Sequence, residues 1–345
     1  MAPLEAVDSG MAIRVAHETE AGTSGALPLA ALRASRRIIE CPPDPRTTQE
    51  ARRYAHAPDG HLPRAIPLKL ERYPTPAAFL AAAEPFLLRA EVENNLILGI
   101  AHALATGSSG ASPTPYFAAV LDPEIRLCAF STLPSKLGIT QADSPGGLDL
   151  LAQDAHLACP GIRDILGPEP TAGAFVERFA ALRGRPISRR IAQRIHQLTA
   201  VIPPDPLPPG RFRAVRPADL PVVTSWIQAF MAETDAIQGD PAHLAASRVA
   251  SGELYVWEDR HPVTMAAWTG RTPNSVRINL VYTPPTARER GYATACVAAL
   301  SQTMLDAGTR FCCLYTDLAN PTSNAIYRRI GYRPVSDAAL YTLAT

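Results

Sequence analysis

Nine residues near the middle of the chain restrict its fold more than any other stretch: Ile202-Pro203-Pro204-Asp205-Pro206-Leu207-Pro208-Pro209-Gly210. Proline has no backbone N–H to donate and holds φ near one value, so this run can be neither a helix interior nor a central strand. It reads as a stiff, extended linker over 202–210. The linker divides a chain of 345 residues into two parts of ordinary domain size. An apolar fraction of 47% supplies enough side chains to give each part a core. Residues 1–65 show little periodicity, with Gly22, Gly25, Pro42, Pro43, Pro45 and Pro58 among small and polar residues. They predict a flexible or loosely packed extension, with a short helix over 29–39 after Pro28.

Element signals recur on both sides of the linker. In 66–201 they predict a strand at 66–70, helices at 75–86 and 89–105, and β-rich runs at 116–121 and 125–130. A strand at 137–140, a helix at 148–157, a strand at 162–166, a helix at 172–182 and a strand at 191–201 follow. In 211–345 the spacing predicts a strand at 212–215, a helix capped by Asp219, and a second helix opened by Asp240-Pro241. A hairpin turns across Asp259-Arg260-His261, and a strand covers 276–283. Next come a helix at 292–306, a strand at 311–316, a helix at 322–330 and a strand at 338–343. The fold class is therefore α/β on a mixed sheet, and the matching order points to an internal duplication.

The net charge of +1 gives no broad pull toward nucleic acid or acidic membrane, so neither is expected as a partner. No stretch is long and apolar enough for a membrane span. The acidic start (Glu5, Asp8, Glu18, Glu20) argues against a secretory leader or an Arg-rich transit peptide, leaving cytoplasm as the expected location. Cys41, Cys128, Cys159, Cys296, Cys312 and Cys313 form no CxxC pair and read as buried thiols. The eight histidines show no metal-ligand spacing, so no metal is expected, and His156 and His196 read as structural.

Chemistry concentrates between Val276 and Thr294. A strand runs into a loop, and the loop feeds a helix whose first turn holds Gly291 and Ala293. Such a turn offers unpaired amides at the positive helix end, and small residues let a phosphate reach them. Arg288 and Arg290 add charge-assisted donors. On these grounds the segment is a candidate diphosphate cradle.

Arg288-Glu289-Arg290-Gly291-Tyr292-Ala293 resembles the R/Q-x-x-G-x-G/A motif of the GNAT superfamily of acyl-CoA N-acyltransferases. Ala293 stands where many members have glycine, which the motif permits. The run from Asn320-Pro321 through Ser323 and Tyr327 to Gly331-Tyr332 resembles the family's second signature. The likeness covers 211–345 well and 66–201 only by element order. It implies a GNAT fold in the C-terminal half, as the catalytic domain, and a degenerate GNAT-like fold over 66–201.

The resemblance also implies roles. The pantetheine arm of acetyl-CoA, the acyl donor, would pair with the central strand at Val281, Tyr282 and Thr283. The diphosphate would lie on the amides of Arg288, Glu289, Arg290, Gly291, Tyr292, Ala293 and Thr294. Asn320 would bond the arm and Ser323 would lie near it. Tyr327 matches the general acid that protonates the leaving thiolate. No general base stands out: Glu233, Asp235, Glu258 and Asp259 fall near the acceptor side, and Asn279 occupies the central-strand position where some members carry an acid. Trp226 and Trp268 would shape an acceptor pocket or pack in the core. In the first half the corresponding turn, Gln141 through Gly147, has no basic residue, and Asp143 and Pro145 oppose phosphate binding. The expected activity is acetyl transfer from acetyl-CoA to a primary amine of a small molecule. A protein or peptide amine, an O-acyl acceptor and a non-catalytic CoA-binding module are the alternatives. Monomer and homodimer are both open.

Overall fold

The computed structural model describes residues 39–40, 68–107, 115–132, 136–234 and 239–345. Compact packing groups these residues into two units. One takes residues from 87–107 and 191–338, the other from 39–86, 114–190 and 339–345.

In the second unit five strands follow one another across a sheet: β2 (Lys69–Arg72), β3 (Tyr116–Asp122), β4 (Glu124–Ser131), β5 (Lys136–Ile139) and β6 (Asp164–Pro168). All neighbours are antiparallel except β5 and β6. A two-residue strand β1, Ile39–Glu40, pairs with β2 through Ile39 and Leu70, so the helix expected to end at Ile39 does not reach it. The rest of that helix and of the expected extension lies outside the described residues. Helix α1 (Pro76–Leu87) follows β2. Helices α3 (Pro145–Ala158) and α4 (Thr171–Arg183) pack Leu148, Leu151, Ala155, Phe175 and Phe179 onto the sheet residues Val120, Leu127 and Ile165.

The first unit repeats this order. Strands β8 (Arg211–Ala214), β9 (Leu254–Asp259), β10 (His261–Thr269), β11 (Ser275–Tyr282) and β12 (Phe311–Asp317) are sheet neighbours in sequence order. They too are antiparallel except for the last pair, β11 and β12. Helices α5 (Leu220–Thr234) and α6 (Pro241–Ala250) bury Val223, Trp226, Ile227 and Leu244 on one side of the sheet. Helices α7 (Tyr292–Asp306) and α8 (Pro321–Ile330) bury Cys296, Val297, Leu300, Tyr327 and Ile330 on another cluster of sheet residues.

Two strands exchange places. β7 (Ile187–Leu198), the last strand before the linker, pairs antiparallel with β12, with Ile195 opposite Tyr315 and Leu198 opposite Cys312. β13 (Arg333–Leu343), the last strand of the chain, lies beside β6, and there Thr342 Oγ1 donates to Asp164 Oδ1 at 2.8 Å. Each sheet is thus completed by a strand from the other half of the sequence. Helix α2 (Asn95–Ala105) likewise packs in the first unit, where a Cβ on Gly99 would stand 2.6 Å from the Gly270 Cα.

Several elements differ from their sequence signals for identifiable reasons. The helix expected over 89–105 is broken into a turn at Leu88–Ala90 and α2. Asn94 spends its side-chain amide on the Leu87 carbonyl, a local bond that competes with helix continuation. Asp219 does not stand ahead of α5 as its N-cap. It closes the short turn Pro217–Asp219 and accepts the Arg216 N–H at 2.8 Å. Asp240 does cap α6, accepting from the Ala242 amide at 3.0 Å. No helix among the described residues is long and apolar enough to cross a membrane. Among the same residues no group of His, Cys, Asp and Glu could hold a metal ion.

Candidate functional site

The parallel pair β11 and β12 sets the geometry. Their registered partners are Ser275 with Phe311, Val276 with Cys312 and Arg277 with Cys313, and the pairing stops there. β11 runs on to Tyr282 and β12 to Asp317 without further partners between them. The strands therefore part beyond Arg277, and the β12-side edge of β11 keeps backbone groups that no strand satisfies. A bulge reinforces the divergence. Between Met265, opposite Tyr282, and Ala267, opposite Asn279, β11 carries one residue more than β10, and Leu280 takes φ 48°. The extra residue reverses the alternation. Val276 and Ile278 pack with α7, whereas Leu280 and Tyr282 pack with α5 and α6.

Beyond β11 the chain makes a short turn, Pro285–Ala287, and enters α7 through Gly291 at φ 80°. Gly291 is the N-cap and supplies no side-chain acceptor, so the first-turn amides of Tyr292, Ala293 and Thr294 have no cap partner. The space around it is open: an added Cβ would find only the Pro208 ring, at 3.9 Å and beyond. Glu289, two residues before the N-cap, also lies in the left-handed region, at φ 64°. An uncapped positive helix end facing open space fits an anionic diphosphate.

The arginines of this loop behave differently from one another. Arg290 is exposed. Arg288 folds back: its Nε donates to the Thr283 carbonyl at 2.9 Å, and its Nη2 reaches both carboxylate oxygens of Glu233. Tyr282 donates its phenol to the same carboxylate at 3.2 Å. Its carbonyl accepts from Thr264 Oγ1 at 2.8 Å, and Thr264 Oγ1 also lies 2.7 Å from Thr283 Oγ1. Val281 is half-buried and points to the α7 side.

Helix α8 is capped by Asn320, whose Oδ1 accepts from the Ser323 amide at 3.1 Å, while Ser323 Oγ donates to the Asn320 carbonyl. Tyr327 lies on its inner face, 9% exposed, edge-on to Tyr332 with centroids 5.8 Å apart. Burial pushes its phenol up to about 12, so it holds its proton at neutral pH. Of the carboxylates expected near an acceptor, the described ones are engaged elsewhere. Glu258 accepts from Arg213 and Arg211, which hold its carboxyl down to about 2, and Asp259 accepts from the Tyr292 phenol at 2.6 Å. Asp235 lies outside the described residues. Trp226 is a core residue, and Trp268 is half-buried beneath Arg271, 4.8 Å from the ring centroid.

The equivalent place in the second unit is built otherwise. Ser144 caps α3 through its Oγ to the Gly147 amide, and Pro145 occupies the first helical position. The β5–β6 pair stays closed, since a Cβ on Gly167 would stand 2.6 Å from Ile139 Cγ1. The family resemblance implies that the central strand splays from its neighbour, but the place of the division at Arg277, the bulge at Leu280 and the strand exchange carry no signal in the sequence, because each depends on pairing between distant segments.

Residues 257–341 match the family model for FR47-like protein. An X-ray structure of a Drosophila protein is similar to this chain at 13% identity and TM-score 0.60, covering 80% of this chain and 98% of its own. A GCN5-related N-acetyltransferase from Sphaerobacter thermophilus is 18% identical, covers 81% and 96%, and has a TM-score of 0.48. A tandem GNAT protein from the clavulanic acid biosynthesis pathway is 14% identical, covers 79% and 98%, and has a TM-score of 0.49. No curated protein sequence matches the chain.

Proposed function

We propose, from the match of residues 257–341 to the FR47-like family model together with the two GNAT-like signatures, that this chain transfers an acetyl group from acetyl-CoA directly to a primary amine of a small molecule. The observation that carries this reading is the parting of β11 and β12 beyond Arg277, next to the uncapped start of α7. The free edge of β11 at Val281, Tyr282 and Thr283 would take the pantetheine arm as a further strand. The amides of residues 288–294 would hold the diphosphate. Asn320 and Ser323, at the start of α8, would bound the arm on its other side.

Acetyl-CoA would supply the acyl group and the thiolate leaving group. Tyr327 is the proposed general acid. Its phenol stays protonated because burial disfavours the phenolate, and a proton donor must hold its proton until the thiolate forms. The domain reading is a degenerate half over 66–201, a linker at 202–210 and a catalytic half over 211–345, preceded by an extension over 1–65. The filled cap of α3 and the closed β5–β6 pair support a silent first half. The catalytic half on this reading uses β7 as well, because β12 has its other partner there.

Thiol release from acetyl-CoA over a panel of primary amines tests the proposal. Amine-dependent release that falls steeply in Tyr327→Phe is expected. Binding of acetyl-CoA without release for any amine or hydroxyl acceptor would favour a CoA-binding interaction module instead.

A further inference from the structure

Two arginines are buried among the described residues, and they are treated differently. Arg248 is paired with Glu253. Arg277 is 2% exposed and has no carboxylate partner. Its Nη1 donates to Asn95 Oδ1 at 2.9 Å, and its Nε and Nη2 have no hydrogen-bond partner at all.

Those two donors are not a random pair. Nε and Nη2 form one straight edge of the guanidinium, the edge that matches a carboxylate with two parallel bonds. This chain uses it that way repeatedly. Arg72 holds Asp154 through Nε and Nη2, and Arg194 holds Asp337 through the same two atoms. In Arg277 the same edge is buried and has no hydrogen-bond partner. A buried cation with two unmet donors is costly, and a bound anion removes the cost.

The surroundings hold the guanidinium in place without filling that edge. Asn95, at the start of α2, donates to the Gly270 carbonyl and to Ser275 Oγ, so its amide is fixed with Oδ1 toward Arg277. Gly270, at φ 58°, leaves the room this needs: a Cβ there would stand 3.1 Å from Arg277 Nη1. Glu91, the carboxylate of this cluster, is spent on Thr272 Oγ1 and on the backbone and side-chain amides of Asn274. Arg277 is also the last residue of β11 that pairs with β12, so it stands where the two strands begin to part. Asn279 and Tyr315, two residues farther along each strand, are partly buried.

We propose that the Nε–Nη2 edge of Arg277 is a carboxylate site, and that the carboxylate belongs to the amine acceptor. The acceptor class is then an amino acid or another amine bearing a carboxylate. The site rests on Arg277 itself, whereas the identity of its ligand rests on the acyltransferase reading above.

Two arms on the full chain separate these levels. In the first, sodium acetate is compared with sodium chloride at equal ionic strength by thermal denaturation. Acetate raises the Tm of the native chain beyond chloride and does not do so in Arg277→Met. In the second, thiol release is measured with amino acids and with the matching carboxamides. The native chain favours the acids by at least about tenfold in kcat/KM, the scale of a lost charge-assisted bond. Arg277→Met and Arg277→Lys lose that preference while keeping acetyl-CoA affinity, which also shows that they fold. Equal use of acids and amides, or a preference that survives in Arg277→Met, overturns the acceptor assignment. No acetate-specific stabilisation of the native chain overturns the site. Failure of acetyl-CoA to bind would instead overturn the acyltransferase reading, and the acetate arm would still decide the site.

Discussion

Arg288, the first residue of the proposed diphosphate cradle, is clamped by Glu233: its Nη2 lies 2.9 and 2.8 Å from the two carboxylate oxygens. Glu233 lies near the end of α5, so the pair ties the loop after β11 to that helix. Both side chains are nearly half exposed, at 44% and 46%, so the pair is screened and contributes little to stability. Its consequence is for binding. On the proposed reading, a diphosphate on the α7 amides would compete with Glu233 for Arg288. Glu233→Gln should therefore tighten acetyl-CoA binding by roughly two- to fivefold, the range of an exposed ion pair, with little change in Tm. Calorimetry checks it, and weaker binding in the variant would mean that Glu233 positions the loop rather than competing with the donor.

Tyr327→Phe removes the proposed proton donor and leaves the ring. The expected loss in kcat is about 100-fold or more, the scale of general acid catalysis, with unchanged acetyl-CoA affinity. Because the phenol is pushed up to about 12, it stays protonated throughout the usual assay range. The pH–rate profile should show no alkaline loss from Tyr327 near its ordinary value of 10. An alkaline limb at 10 that vanishes in Tyr327→Phe would contradict the burial argument.

Much of this was legible in the sequence, and what was not has a common cause. Helix α7 begins at Tyr292 and ends at Asp306, where the Gly291 and Gly308 signals bound it, and the Asp259–His261 hairpin turns at Arg260 with φ 61°. These are local: the residues that decide them lie within a turn of one another. Arg277 reads in the sequence as one more strand residue, because its burial requires Asn95 and Gly270, 182 and seven positions away. The same holds for β7 and β13, whose patterns say strand but not which sheet. Arg288 was legible as a cation in a motif, whereas its partner Glu233, 55 residues earlier, was not.

Arg213 joins Asp219 at 2.6 Å and Glu258 at 2.7 Å, with all three side chains at most 15% exposed. Arg213→Met takes the guanidinium from Asp219 and leaves Glu258 with Arg211 alone, and a lower Tm at neutral pH is expected. Arg213, with Arg211 beside it, holds Glu258 down to about 2 from its usual 4.5, so the folded chain binds fewer protons there than the unfolded chain. That stability is present above pH 4.5 and is lost as pH falls toward 2. Thermal denaturation between pH 3 and 7 should show a steep acid limb in the native chain and a shallower one in the variant.

On the alkaline side the buried thiols and phenol act in the opposite sense. Burial raises Cys312 and Cys313 from 9.0 to about 12 and Tyr327 from 10.0 to about 12. Above pH 9 the unfolded chain releases protons that the folded chain keeps. Stability is therefore full below pH 9 and falls as pH rises toward 12, by up to about 1.4 kcal/mol per group per unit. Cys313→Ala should shift this limb upward in a Tm-against-pH series, and an unchanged limb would assign the loss to other groups.

Gly291 opens α7 at φ 80°, where an L-residue pays roughly 1–2 kcal/mol of backbone strain. Gly291→Ala should lower Tm modestly. It should also weaken acetyl-CoA binding by more than the Tm change accounts for, since the methyl group would stand where the proposed diphosphate meets the helix amides. Equal affinity in the variant would move the diphosphate elsewhere.

The central claim is that the parted strands and the α7 start make one donor site per chain, in the half that carries Gly291 and Tyr327. Isothermal calorimetry of the full chain with acetyl-CoA tests it most directly. Saturable binding at one site per chain, weakened by Gly291→Ala, is the predicted result. Two sites per chain would contradict the silent first half, and no binding would contradict the account as a whole.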